Sequence, residues 1–163
     1  MVVTVSSQTQ RTLKPYWLDY HSLMLARRDD GVWANVPCLV VHHSPDGFEY
    51  GYAGSGPADL ALNILEHYFR EHPLEDPLPG EVVPVWGGGS AKRIAWLLHQ
   101  DVKADLIASL PHGEQEISVG IEPIEQWIEL RLQLEMLRLK LDQNVRDQVS
   151  YEIVRKRQRR AQG

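Results

Sequence analysis

Apolar residues recur along this chain in two rhythms, and the change between them divides it into elements. Over residues 20–53 they alternate or run in short stretches between turn residues, the habit of strands; from residue 57 onward they return every three or four positions, the habit of helices. The first rhythm predicts a strand over 21–28, a turn at Asp29-Asp30-Gly31 and a returning strand over 32–36. A short apolar strand over 38–42 follows, then the turn Ser44-Pro45-Asp46-Gly47. Residues 48–52 place Phe48, Tyr50 and Tyr52 on one face and Glu49 and Gly51 on the other, the mark of a half-buried strand. Residues 20–53 are thereby predicted to form an antiparallel meander.

The second rhythm predicts three helices. The first covers 57–72, with Gly56 or Ser55 as N-cap, Pro57 at the first helical position and Asp59 in the first turn, where a carboxylate suits the helix dipole. Leu60, Ile64, Leu65 and Tyr68 form its core stripe, and Pro73 ends it. Residues 72–89, rich in proline and glycine, predict a long loop with a short strand near 81–86. Ser90 is the expected cap of a second helix over 91–110, buried through Ile94, Leu97, Leu98, Val102 and Leu106; a short strand is expected at 116–119.

The third helix is predicted from Glu122-Pro123 to about residue 158. Trp127, Leu130, Leu134, Leu137 and Leu141 lie 3, 4, 3 and 4 apart, a coiled-coil seam; Val145, Val149 and Ile153 continue it in steps of four, so the seam drifts round the helix. Ile128, Leu132 and Leu139 add a second stripe. A small sheet cannot cover a helix apolar on two sides, so a homo-oligomer is predicted through Trp127, Leu130, Leu134, Leu137, Leu141 and Val145; the alternative is a helix folded back over its own domain. The expected fold class is α+β: a small antiparallel β-meander packed by two helices, plus a long C-terminal helix. The expected organisation is a flexible arm over 1–15, an α+β domain over 16–120, and the helix with its basic tail over 121–163.

Charge divides the chain unevenly. Its 163 residues hold 17 Lys and Arg against 22 Asp and Glu, a net −5. Arg155, Lys156, Arg157, Arg159 and Arg160 all lie in the last nine residues, which leaves 12 positive against 22 acidic residues elsewhere, about −10. The body should repel polyanions, and only the tail offers a surface for nucleic acid. The single cysteine, Cys38, sits in an apolar run and is expected to be a small buried hydrophobe in a reducing compartment. No signal peptide or apolar run of about 20 residues is evident, so the expectation is a soluble cytoplasmic protein without membrane contact.

Candidate chemistry is sparse. The bend at residues 51–59 presents Tyr52, Gly54, Ser55 and Gly56 at a helix start, where free N–H groups can bind an anion, or where glycines simply make a tight corner. Gly88, Gly89, Ser90, Lys92 and Arg93 make a second, more cationic cradle, or a linker. Neither has the spacing of a P-loop or a dinucleotide fingerprint, and Ser55 lacks the G-x-S-x-G frame because Ala53 replaces the first glycine. The seven histidines form no H-x-x-x-H pair; adjacent on a strand, His42 and His43 would point to opposite faces. No catalytic residue, metal site or cofactor is expected.

The stretch His43-Ser44-Pro45, Gly47-Phe48, Gly51-Tyr52, Gly54-Ser55-Gly56-Pro57-Ala58 and Leu60-Ala61-Leu62 resembles the hallmark of an uncharacterised bacterial and phage family, with Tyr50 in place of a tryptophan. His99-Gln100-x-Val102-Lys103 and Ile107-Ala108-x-Leu110-Pro111 resemble its later pattern, and the likeness covers roughly residues 20–128. It implies one compact α+β domain and transfers no activity. The function expected is therefore a non-catalytic binding protein of phage or mobile-element type, with a host protein as partner. Inhibition of a host defence complex is one form of this. A small-ligand binder holding a nucleotide or phosphate signal between the two glycine-rich segments, with Tyr52 or Trp86 as an aromatic contact, is the first alternative. A nucleic-acid factor acting through the tail is the second.

Overall fold

A computed structural model describes residues 16–74 and 82–161, so the expected N-terminal arm over 1–15 and residues 75–81 of the expected loop lie outside the described residues. The elements in order are β1 (Ser22–Arg28), β2 (Gly31–Ala34), α1 (Ser55–Glu71), β3 (Val82–Pro84), β4 (Ser90–Lys92), α2 (Arg93–Val102), a π-turn (Lys103–Ile107), β5 (Glu116–Gly120) and α3 (Ile121–Ala161). The fold is α+β, as the rhythms predict, with a small antiparallel sheet and a long C-terminal helix.

The sheet is built differently from a continuous meander. Its order is β2-β1-β5. The hairpin turns at Asp29-Asp30, where Arg28 faces Gly31, and Gly31 takes φ 123°. The third strand comes from the far end of the domain: Ser22 pairs Gly120 and Ala26 pairs Glu116. Neither 38–42 nor 48–52 is a strand. In the first, the backbone donors go to side chains of α1 instead of a neighbouring strand. In the second, Gly51 turns to φ 81° and donates its N–H to the Ile107 carbonyl at 3.0 Å, which breaks the extended path.

α1 begins earlier than expected. Gly54 is its N-cap and Pro57 its third residue, so Asp59 lies in the second turn, away from the orphan N–H groups. From Gly56 to Phe69 every residue of α1 is buried, which makes it the central rod of the core. β1 covers it through Leu23 and Leu25; α2 covers it through Ile94, Leu98 and Val102. Ser90 does not cap α2. Residues 90–92 pair with β3 as a hairpin, Lys92 is the N-cap, and the α-helix gives way to the π-turn after Val102.

α3 uses its two apolar stripes differently. Ile121, Ile124 and Ile128 are buried, and Leu132, Met136 and Leu139 pack against the same core. Leu130, Leu134 and Leu141 lie two positions on from Ile128, Leu132 and Leu139, about 200° round the helix, and these three and Leu137 are 50–64% exposed.

Candidate functional site

The buried helix carries a polar stripe, and that stripe shapes the loops. Asp59, Asn63 and Glu66 lie at i, i+4 and i+7, on one face of α1, each no more than 2% exposed. Asp59 accepts N–H bonds from His42 (3.2 Å), His43 (2.9 Å) and Ser44 (2.9 Å). Asn63 Oδ1 accepts from Leu39 (2.6 Å) and Val40 (2.9 Å), while its amide donates to the Val40 carbonyl (2.8 Å). Glu66 accepts the Lys92 N–H through one oxygen and faces Arg70 through the other. Asp59 and Asn63 thus satisfy loop backbone that no strand reaches, and with Glu66 they hold 39–44 and β4 against the helix.

The loop held by Asp59 delivers two histidines to α2. His42 meets the Trp96 ring edge-on at 4.6 Å and meets His43 at 4.6 Å. The opposite-face arrangement fails because this segment is a caged loop without a strand's alternation. His99 Nδ1–H donates to the Trp96 carbonyl at 2.6 Å, so its Nε2 is an acceptor, and His43 Nε2 and the Gln100 side-chain nitrogen share it, each at 2.8 Å. Burial pushes His99 down to about 4, against the pull of the carbonyl bond, and burial followed by the neighbouring His42 lowers His43. Both rings are neutral near pH 7. His42 Nδ1 accepts the Trp86 N–H at 3.1 Å, which leaves its Nε2–H as a donor.

Trp86 is 70% exposed, yet its backbone is pinned. The next residue, Gly87, donates to the Val41 carbonyl at 2.8 Å, and a Cβ there would stand 2.8 Å from that oxygen. Arg93, Trp96, Gln100 and Lys103 recur at three- and four-residue spacing along α2 and the π-turn. A patch results, with the His42 and Trp96 rings in contact at its centre, the Trp86 backbone held beside His42, and Arg93 and Lys103 on the same helical segment as Trp96. The segments His43-Ser44-Pro45 and His99-Gln100-x-Val102-Lys103, distant in sequence, meet in it.

The sequence-predicted ligand residues fall in two places. Tyr52 is exposed with its ring edge-on to His112; Gly54 and Gly56 leave no room for a Cβ, against Tyr52 and Glu49 respectively; Ser55 is exposed at the first helical position. Gly88 and Gly89 form the hairpin turn at φ 86° and 82°, Ser90 is exposed, Lys92 is anchored to Glu66 and Arg93 opens α2. Glu66 is roughly 16 Å beyond Ser55 along α1, so Lys92 sits far from the first bend. The structure joins Trp86 and the start of α2 to His42 and Trp96, which the linear reading missed. The available signal was Asp59, Asn63 and Glu66, polar residues at helical spacing on an otherwise apolar helix.

Cys38 is exposed, not buried: its flanks Pro37 and Val40 turn inward while its own side chain faces out. Desolvation at its base and the Asp59 carboxylate raise its thiol pKa. An apolar cavity of about 130 Å³ lies beside the π-turn, lined by Leu23, Ile64, Leu106, Val119 and Ile124. Ser109, which also lines it, spends its hydroxyl on the Asp105 and Leu106 carbonyls. Among the described residues no group of three or more His, Cys, Asp or Glu could hold a metal ion, and no helix is long and apolar enough to cross a membrane.

On α3, Trp127 is half-buried, its indole N–H donating to Asp105 at 3.0 Å, and Arg131 reaches the same carboxylate at 2.9 Å. Those two hydrogen bonds lower the Asp105 pKa. Leu130, Leu134, Leu137, Leu141 and Val145 are exposed, as are Arg155 and Arg157 in the tail; the side chains of Lys156, Arg159 and Arg160 lie outside the described residues.

Among known protein families, residues 24–82 match a family of unknown function, DUF6166. The match covers β1, β2, the caged loop and α1. No curated protein and no solved structure matches the chain.

Proposed function

We propose that this is a non-catalytic binding protein that works by protein–protein contact, with α3 joining copies of the chain and the head displaying the histidine–tryptophan patch. The observation that carries the reading is the division of labour on α3. Its inner stripe is spent on the core, yet Leu130, Leu134, Leu137 and Leu141 are all at least 50% exposed on the outside. A continuous row of leucines on a folded helix is more apolar surface than an isolated helix face keeps in water. Burying each half-exposed side chain returns about 1 kcal/mol, enough in sum to offset the loss of freedom on association.

Sedimentation equilibrium of the full chain tests this. The expected result is a dimer or higher oligomer at micromolar concentration, and for Leu134→Glu/Leu137→Glu a monomer with the unfolding midpoint of the dilute, dissociated wild type. A monomeric wild type at 100-fold higher concentration would rule the reading out. Inhibition of a host defence complex is the form of target contact that the resemblance to phage proteins motivates. Its test is whether expression restores plating of a phage that the host restricts.

A second reading has its own support in Trp86, whose exposed indole stands on a backbone bonded to His42. Such an arrangement suits a nucleoside phosphate, with the base on the indole and the phosphate toward Arg93 or Lys103. Titration with ADP should quench tryptophan fluorescence, and Trp86→Ala should abolish the response. An unchanged signal at millimolar ADP rejects it.

A further inference from the structure

We infer that two copies pair antiparallel through the outer seam of α3, so that the basic tail of each lies beside the acidic head of the other. The inference rests on the self-association reading above and goes on to name the partner, its direction and the group that sets that direction.

The seam permits this direction because it is nearly symmetric about Leu141. Leu137 and Val145 stand four residues to either side, Leu134 and Val149 at seven and eight, Leu130 and Ile153 at eleven and twelve. All of these are between 47 and 64% exposed. Reversing one helix about Leu141 therefore lays Leu137 on Val145 and brings Leu134 toward Val149, while Val149 and Ile153 stand about 80° and 120° round the helix from Leu141. The row at four-residue spacing from Leu137 to Ile153 is an i±4n ridge.

A parallel pair would bury the seam equally well, so burial does not choose between them; charge does. Parallel pairing sets five Lys and Arg of one tail against the same five of the other. Antiparallel pairing brings residues 155–160 alongside residues 122–127 of the second copy. Glu122 and Glu125 lie there, with Glu129 one turn on and Asp101 and Asp105 close by through Arg131. The rest of the second copy carries about −10. Space also allows it. Each head packs on the inner stripe of its own helix, about 200° round from Leu130 and Leu134, and in the reversed pair the two heads sit at opposite ends.

The test uses the full chain with Cys38→Ser. Leu137→Cys and Val145→Cys proteins are prepared separately, mixed, and equilibrated in a glutathione redox buffer. Antiparallel pairing gives the mixed 137–145 disulfide in preference to either self-disulfide, and dimer affinity that falls as salt rises. Arg155→Glu/Arg157→Glu should weaken the wild-type dimer about tenfold at low salt. Self-disulfides at both positions, with affinity that rises with salt and with the charge reversal, overturn the antiparallel direction while leaving self-association standing. No cross-link and a monomer at every concentration overturn both. A tail that keeps the same dimer affinity after charge reversal, while the chain loses binding to single-stranded RNA, overturns the role given to the tail.

Discussion

At the scale of single residues, the fold depends on side chains that stand in for missing backbone partners. Asp59 receives three N–H groups from a loop that no strand touches. Asp59→Ala would leave those donors unpaired in a buried place and should cost about 3–5 kcal/mol in urea unfolding; Asp59→Asn, with one acceptor oxygen, should cost less. If the alanine variant lost under 1 kcal/mol, the loop would be held by other contacts. Glycines offer a paired comparison. Gly51 and Gly88 both have positive φ, 81° and 86°, but a Cβ at Gly51 would stand 2.6 Å from His112 Cα while one at Gly88 would meet open space. Gly51→Ala should therefore destabilise well beyond the roughly 1–2 kcal/mol of left-handed strain expected for Gly88→Ala. Equal losses would mean that the His112 contact yields freely.

His99 adds a pH dependence whose sign follows from its burial. Folded, it takes a proton only near 4; unfolded, near 6.5. Between those values the unfolded chain binds a proton that the folded chain refuses. Stability is thus complete above pH 6.5 and falls as pH drops toward 4, by up to about 3 kcal/mol. His43 and His67, also lowered by burial, act in the same direction. Urea midpoints for His99→Gln at pH 7.5, 6 and 4.5 should decline less steeply than those of the wild type. Parallel declines would assign the effect to the other two.

At the scale of elements, periodicity located whatever obeys it. The β1–β2 hairpin, α1, the buried face of α2 and both stripes of α3 follow from spacing alone, because 3.6- and 2-residue repeats record which face meets the core. The two false strands carry apolar alternation for another reason. Val40 and Tyr50 are buried, but Val40 through its N–H to Asn63 and Tyr50 through its hydroxyl to the Glu114 carbonyl, bonds that span 23 and 64 residues of sequence. Linear pattern cannot express such pairings, and the histidine–tryptophan patch, assembled by them, was equally hidden. The outer half of α3 makes its own prediction. Described side chains from Gln143 onward are exposed, and a helical stretch without tertiary contacts is marginal in water. Mean helicity by circular dichroism should fall as the full chain is diluted through its dissociation range. Leu137→Glu should show the dilute value at every concentration. Helicity independent of both would mean that the rod holds itself together.

At the scale of the molecule, head and rod overlap in the first turns of α3, and that overlap decides what can be removed. Ile121, Ile124 and Ile128 complete the same core that α1 centres, while Leu139 is the last residue packed against it. Ending the chain after Asn144 removes only exposed surface from the head. Its unfolding midpoint should stay within the equivalent of about 0.5 kcal/mol, while association through the seam is lost with Val145, Val149 and Ile153. Ending it after Gly120 uncovers Ile64 and strips three buried isoleucines from the core, each worth about 2–5 kcal/mol against the 5–15 kcal/mol that usually holds a domain together. That fragment should not fold. Hydrogen exchange separates the cases: slow amides in α1 should persist at full protection in the first truncation and vanish in the second. If α1 amides exchanged fast after the cut at 144, the distal rod would be part of the folding unit, and the seam would owe its leucines to the head's own stability instead of to a second chain.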